Sequence, residues 1–426
     1  MPTRIVTSAL LLCALAGSLV AVGCAGTSSA ASAPRTLASA GTPTSGDASK
    51  TDDATLREPI NAFGFDLLRA LGKHPARGGQ TVISPISVHA DLAMLANGAS
   101  GETLRQMRDT LHLSGVAESA SNSSYANLLA RLNASRDVTM SVADSLWLDS
   151  QFPIQPDYVK TNQQFFGAEV RTLKLDTKDA MDAINAWSSS ATRGKIPTLL
   201  SEPLDESVKL VGINATYFKG DWQTSFETSA TRQEAFHLAT GAAVRDTMHA
   251  THEWDYAETP EFQAIRLPYE GGGKSMVVFL PSSSSSLDAL VASLTAETFA
   301  KAAESLAPRD VTLALPKTEV RWHSDLTNDL EALGMRNAMS PQAAQLSRIS
   351  AIPLCVQSVL HATYLRVDEK GTEAAALTSH NTMTTGVIGL PRPAEMIVDR
   401  PYLMAIVDDD SGAVLFLAAI RDPSGQ

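Results

Sequence analysis

Residues 369–378 read Glu-Lys-Gly-Thr-Glu-Ala-Ala-Ala-Leu-Thr, the pattern of a β-strand left outside its sheet. Strand side chains alternate between two faces with period two. One alternate set, Thr372, Ala374, Ala376 and Thr378, is small enough to enter a packed interior; the other begins with Glu373 and suits water. Such a segment can slide between two existing strands without burying a charge. Gly371 supplies backbone freedom where the strand would peel away. No proline interrupts the run before Pro391, so each residue can donate to a sheet ladder. Two plainer readings also fit: an exposed Ala/Thr linker, or a helix start, for which Thr-Glu-Ala-Ala-Ala is well suited. The rest of the chain decides between them.

The first 24 residues read as an export signal. Arg4 gives a positive start, and residues 9–22 form an apolar run short for a membrane span. Ala-Val-Gly-Cys at 21–24 resembles a bacterial lipobox, in which Cys24 becomes a lipid anchor at the new N-terminus. Alanine stands at 21 where leucine is commoner, so ordinary secretion is the alternative. Residues 25–54 are Ser, Ala, Thr, Gly and Pro with almost no large apolar side chain. Such a segment cannot bury enough surface to offset its ordering entropy and is expected to be a disordered tether. The expected location is therefore outside the cell or on its surface, with membrane contact only through the lipid.

With Cys13 in the signal and Cys24 at the lipid site, Cys355 stands alone, so the mature chain can form no internal disulfide. Stability must come from a large core, which the remaining stretch of about 370 residues is long enough to bury. The net charge of −12 and the lack of a continuous basic face argue against a nucleic-acid partner.

From residue 55 onward there is no internal repeat and no linker long enough to separate two domains. Phe63, Leu67, Leu68 and Leu71 recur at helical spacing. Ser84-Pro85 supplies an N-cap and a first-turn proline, followed by Val88, Leu92 and Leu95 on one face. Later segments read as strands: 210–218, 275–280, 311–315, 396–407 and 413–420, the last two flanking the turn signal Asp408-Asp-Asp-Ser-Gly412. Helices with predominantly antiparallel strands make an α+β domain over 55–426.

Ordered blocks then carry a family resemblance. Ser84-Pro-Ile-Ser87 leads into Leu92-Ala-Met-Leu95 and Gly98-Ala-Ser-Gly-Glu-Thr103. Ile184-Asn-Ala-Trp187 and Gly194-Lys-Ile196 follow, then Asn214-Ala-Thr-Tyr-Phe-Lys-Gly220 with Trp222 and Phe226. Leu267-Pro-Tyr269, Met276-Val-Val-Phe-Leu-Pro281, His361, residues 367–376, Asp399-Arg-Pro-Tyr402 and residues 412–417 complete the series. In this order they resemble the serpins, the serine-protease-inhibitor family, with 369–378 similar to the hinge before the reactive-centre loop.

The resemblance implies the serpin fold: helices packed on a large mixed main sheet, smaller sheets, and an exposed loop at about 369–398. It implies a hinge of Glu369, Gly371, Thr372, Ala374, Ala376 and Thr378. It places Ser84, Ser87, Asn214 and His361 in the shutter, where the main sheet opens; small groups able to donate and accept hydrogen bonds suit such a place. Singly, Ser84 is a helix cap, Asn214 a strand end and His361 a core histidine. Asp91 departs from the small apolar residue usual at its position, a change that a solvent-facing turn would absorb. Trp187 and Trp222 are expected to pack in the core or at sheet ends.

The implied activity is suicide inhibition, not enzyme catalysis. The partner is a serine endopeptidase, which forms an acyl-enzyme with the loop and is trapped when the hinge inserts as a central strand. Family spacing puts the scissile bond between Thr385 and Gly386, with Met383, Thr384 and Leu390 as alternatives because the stretch to Pro401 is longer than usual. No Lys or Arg lies between Gly371 and Pro391, and Arg392 precedes Pro393. The expected targets are therefore of elastase, subtilisin or chymotrypsin type and not trypsin type. A non-inhibitory binding or chaperone-like serpin, or inhibition of cysteine proteases, are the alternatives. No cofactor and no metal is expected: His249 and His252 lack carboxylate company and helical spacing for zinc. A monomer is expected. A surface hydrolase or solute-binding lipoprotein is a third class, disfavoured because no Gly-x-Ser-x-Gly elbow or Gly-rich phosphate loop occurs.

Overall fold

A computed structural model describes residues 35–38, 50–73, 80–134, 138–372 and 392–424. In chain order, strand β1 (Arg35–Ala38) and helix α1 (Lys50–Gly72) precede β2 (Thr81–Ile83) and helices α2 (Pro85–Ala96), α3 (Gly101–Thr110) and α4 (Glu118–Ala134). Then come β3 (Val138–Asp149), α5 (Pro156–Phe166), β4 (Glu169–Leu173), α6 (Lys178–Ala191) and β5 (Leu210–Asp221). An antiparallel run follows: β6 (Arg232–Leu238), β7 (Gly241–Glu258), β8 (Phe262–Pro268) and β9 (Lys274–Pro281). Next are α7 (Leu287–Ser293), α8 (Ala296–Glu304), β10 (Ala307–Pro316), β11 (Thr318–Asp325), α9 (Thr327–Leu333) and α10 (Arg336–Met339). The chain closes with β12 (Ser358–Asp368), β13 (Gly371–Thr372), β14 (Ala394–Ile397), β15 (Tyr402–Asp408) and β16 (Ala413–Ile420).

Two sheets organise these strands. The main sheet has the order β1-β4-β3-β5-β13-β12-β11, with β5 also paired directly to β12. The second runs β14-β10-β7-β8-β9-β15-β16-β2, with β6 added on β7. Helices α1 and α2 pack on β16. Phe63, Leu67, Val88, Leu92, Leu95, Phe416 and Leu417 meet there in the larger core.

Strand β5 shows how period two builds the layers. Val211, Ile213, Ala215 and Tyr217 face one way, into a cluster with Ile184 and Trp187 of α6 and with Trp147, Ala362 and Tyr364. Leu210 and Phe218 belong to the core on the opposite face. The main sheet is thus a layer buried between α6 and α2.

The expected α+β architecture is present, with local differences. Residues 396–407 are not one strand. Ala394–Ile397 pairs in parallel with β10, whereas Tyr402–Asp408 pairs with β9 and β16. Pro401 cannot donate to a ladder, and the Arg400 guanidinium, bonded to the Pro281 carbonyl at 2.8 Å, anchors the bend. Ser84 occupies the N-cap position of α2, but its side chain does not cap the helix; its hydroxyl donates to the Leu415 carbonyl at 2.8 Å instead. Arg35–Ala38, expected within an unstructured tether, lies antiparallel to β4, and α1 already begins at Lys50. The anticipated turn after β15 is closed by the Gly412 amide donating to the Asp408 carbonyl at 2.7 Å. Cys355 is free and buried.

Candidate functional site

The central feature of the main sheet is a parallel seam. Residues 358–364 of β12 pair in register with 211–217 of β5, from Ser358 opposite Val211 to Tyr364 opposite Tyr217. Above Tyr217 and Tyr364 the two strands separate, and β13 fills the gap antiparallel to both. Gly371 lies opposite Asp221 and Asp368, and Thr372 opposite Gly220 and Val367.

Thr372 has no exposed surface, and its hydroxyl shares a 2.7 Å hydrogen bond with that of Tyr269. Tyr269 stacks on Trp222, with centroids 4.8 Å apart and planes 11° from parallel. The Trp222 indole N–H donates to the Asp368 carbonyl at 3.0 Å, and its amide donates to the Lys370 carbonyl at 2.7 Å. Gly371 is required sterically: a Cβ there would sit 2.2 Å from the Gly220 carbonyl oxygen and 2.6 Å from Asp221 Cα.

Glu369 anchors the turn before β13. Its carboxylate accepts from the Thr231 hydroxyl at 2.8 Å and pairs with Lys317 Nζ at 3.0 Å. Burial alone would raise this carboxyl. Its own backbone amide, Thr231 and Lys317 outweigh that effect and leave it below the ordinary value.

Midway down the seam, on the α2 side, lies a polar cluster. Asn214 stands in register with both Asp144 of β3 and His361 of β12. Its amide donates to Ser87 Oγ and to Asp144 Oδ1. Thr216 donates to Ser87 Oγ at 2.8 Å, and the Ser84 amide donates to His361 Nε2 at 3.0 Å. A ring nitrogen accepting that bond carries a lone pair, so this tautomer is the neutral one. Burial holds it neutral, pushing His361 down to about 3 against an opposing pull from the Asn214 backbone.

The residues singled out from the sequence divide into three groups. Ser84, Ser87, Asn214 and His361 are brought together, all fully or almost fully buried. Glu369, Gly371 and Thr372 meet at the upper end of the seam. Ala374, Ala376, Thr378, Met383, Thr384, Thr385, Gly386, Leu390 and Cys24 lie outside the described residues.

Trp187 and Trp222 pack as expected, in the α6 layer and at the sheet end respectively. Asp91 does not face solvent: it has no exposed surface. Thr231, Lys317 and Asp144 also contact these site residues and were not singled out from the sequence, and Tyr269 was noted there only within a family block.

The seam holds apolar side chains toward α6 and small hydrogen-bonding groups toward α2. Between the end of β13 and Val211 its edges bond only to each other, so parting them would admit one more strand.

The family profile described as Serpin (serine protease inhibitor) matches residues 58–423. A leukocyte elastase inhibitor of Bos taurus is 32% identical over 379 residues, covering 85% of this chain and 97% of that protein. An uncharacterized serpin-like protein of Thermococcus kodakarensis is 30% identical over 370 residues, 85% of each chain. Among solved structures, the thermophilic serpin tengpin in its native state aligns with a TM-score of 0.80 at 24% identity, over 91% of this chain and 99% of that one.

Proposed function

This chain belongs to the serpin family, and from that premise we propose that it traps a serine endopeptidase by drawing its cleaved loop into the β5–β12 seam. The observation that carries this reading is β13. The first small, inward residue of the hinge, Thr372, is already buried between the two strands, antiparallel to both. Continuing that register would set Ala374 between Phe218 and Leu365, Ala376 between Thr216 and Thr363, and Thr378 between Asn214 and His361. Each incoming inward residue is small, and the last meets the polar cluster.

The protease serine attacks the Thr385 carbonyl. The bond to Gly386 breaks, the Gly386 amine leaves with a proton, and Thr385 remains as an ester on the enzyme. Insertion then carries the ester, with the protease attached, down the sheet. Each added residue supplies net hydrogen bonding of roughly 0.5–1.5 kcal/mol. A dozen or so would supply on the order of 10 kcal/mol, comparable to the stability of an ordinary domain. That is enough to distort a bound active site and stall deacylation. The intact fold is accordingly a kinetically held state.

The targets are proteases of elastase, subtilisin or chymotrypsin type, and the inhibitor acts as a monomer without cofactor. It is exported by residues 1–24, anchored through Cys24, and held off the membrane by 25–54. Mass spectrometry of the mature N-terminus tests the anchor. Incubation with a protease panel tests the function. The expected results are a covalent complex on a denaturing gel and greater heat resistance of the loop-cleaved chain. A cleaved chain that melts like the intact one would refute insertion and leave a non-inhibitory binder.

A further inference from the structure

Beneath the seam lies a pair of carboxyls that the inhibitory reading does not use. Asp91 of α2 has no exposed surface, and neither of its oxygens has a hydrogen-bond partner among the described residues. A Cβ built on Gly212 of β5 would lie 2.8 Å from Asp91 Oδ2, so β5 runs directly over this carboxyl and only glycine leaves it room. Gly212 and Asn214 share a face of β5. Asp144 of β3, also buried, accepts from the Asn214 amide. Asp91, Asp144, Ser87 and Asn214 thus form one patch under the strand that must move.

The groups facing this patch are identifiable on every neighbouring element. Tyr125 of α4 and Tyr158 of α5 are kept protonated first by burial and further by Asp144 and Asp91 respectively; Arg108 opposes this at Tyr125. His361 on β12 is neutral, as is His89 on α2, which burial pushes down to about 3. Among the described residues no Lys or Arg pairs with either carboxyl. Two carboxylates cannot both ionise in so dry a space, because desolvation and mutual repulsion add. Burial, and then the neighbouring Asp144, hold Asp91 well above its ordinary value; burial pushes Asp144 up to about 7 against the Asn214 hydrogen bond.

We propose that Asp91 and Asp144, buried carboxyls under β5, act together as a latch on the seam, closed while they are protonated and loosened when a proton is lost. The proposal rests on the reading of the seam as the entry point for the loop and names what governs its opening. Both carboxyls are raised in the folded state. For Asp144 the favourable state is therefore fully present below the unfolded value near 3.8 and is lost as pH rises through about 7, and Asp91 acts with the same sign. Parting β5 from β12 would admit water to the new charges, so opening is favoured on the alkaline side. The buried histidines act oppositely and mainly below their ordinary value of 6.5, equally in wild type and variants, so the difference in slope between about pH 6.5 and 8.5 isolates the carboxyls.

The test uses intact, uncleaved protein. Its half-life at one temperature near the melting midpoint is measured at about pH 6.5 and 8.5 for wild type, Asp91→Asn and Asp144→Asn. Wild type should lose about tenfold in half-life across the window, the factor that a tenfold change in carboxyl acidity on opening carries, and either variant about fourfold or less. Each substitution should also weaken the infrared carbonyl band of protonated carboxylic acid seen at the lower pH, the remaining carboxyl still being held protonated by burial. Where one variant fails to fold, the other carries both readouts. Equal pH slopes in wild type and variants, or no acid band in wild type, overturn the latch. In parallel, wild type is nicked with a subtilisin-type protease at the lower pH. If nicking confers no heat resistance, the insertion reading fails; if it does and the slopes are equal, only the latch fails.

Discussion

Replacing Thr372 by arginine should separate cleavage of the loop from capture of the protease. The threonine is enclosed between Gly220 and Val367, with its hydroxyl 2.7 Å from that of Tyr269. A guanidinium there would be buried and unpaired, at a cost of several kcal/mol, so the strand end must remain outside. Withdrawal forfeits a hydrogen bond of about 1 kcal/mol and leaves the Tyr269 hydroxyl unpaired, at about 1–3 kcal/mol. These sums are smaller than the roughly 10 kcal/mol that a dozen inserted residues supply, so the effect is on rate. An added barrier of about 3 kcal/mol at the first step slows insertion about 100-fold, long enough for deacylation to win. Wild type and Thr372→Arg are incubated with subtilisin- and elastase-type enzymes, with complex read on a denaturing gel and cleavage by mass spectrometry. The variant should be cut at the same bond but release active protease. Thr372→Val, of similar shape, should keep the complex while losing about 1–3 kcal/mol of intact stability through the orphaned Tyr269. Undiminished complex with Thr372→Arg would refute the insertion mechanism.

Other expectations follow from the same geometry. The Glu369 carboxyl is depressed, so its contribution is present above the unfolded value near 4.5 and lost as pH falls. Glu369→Gln should flatten the loss of stability between about pH 5 and 3, read from urea midpoints. Gly371→Ala drives a methyl into the Gly220 and Asp221 backbone and should destabilise the intact protein by about 1–3 kcal/mol in the same titration. Trypsin should form no stoichiometric complex, because no Lys or Arg lies between Gly371 and Pro391; an adduct joined at Arg392 would contradict this.

What could be read from the sequence was what depends on local order. The strand-forming composition of β5 and the apolar run of β16 declared themselves, since composition needs no partner to be visible. So did the smallness of Thr372, which the fold then buries. Sequence could not reveal that β5 lies parallel to β12, whose residues follow more than a hundred positions later, nor that β13 enters between them. Asp91 was misjudged for the same reason. A carboxyl on a helix suggests solvent until the strand crossing above it, and the glycine that makes room, are known. The run 396–407 reads as one strand across Asp399-Arg400-Pro401, although the charged pair and the donor missing at Pro401 mark the break between β14 and β15.

The parallel pairing of β5 with β12 gives the sheet a one-way track. A guest segment laid antiparallel to both rails is already started at Gly220 and Val367 and can advance only toward Val211 and Ser358. At about 3.4 Å per residue that run is about 30 Å long. On the insertion reading, the distance a captive enzyme would be hauled is therefore set by the rails and not by the enzyme. On that same reading, shortening the guest by a few residues would leave its leading end short of Val211 and Ser358.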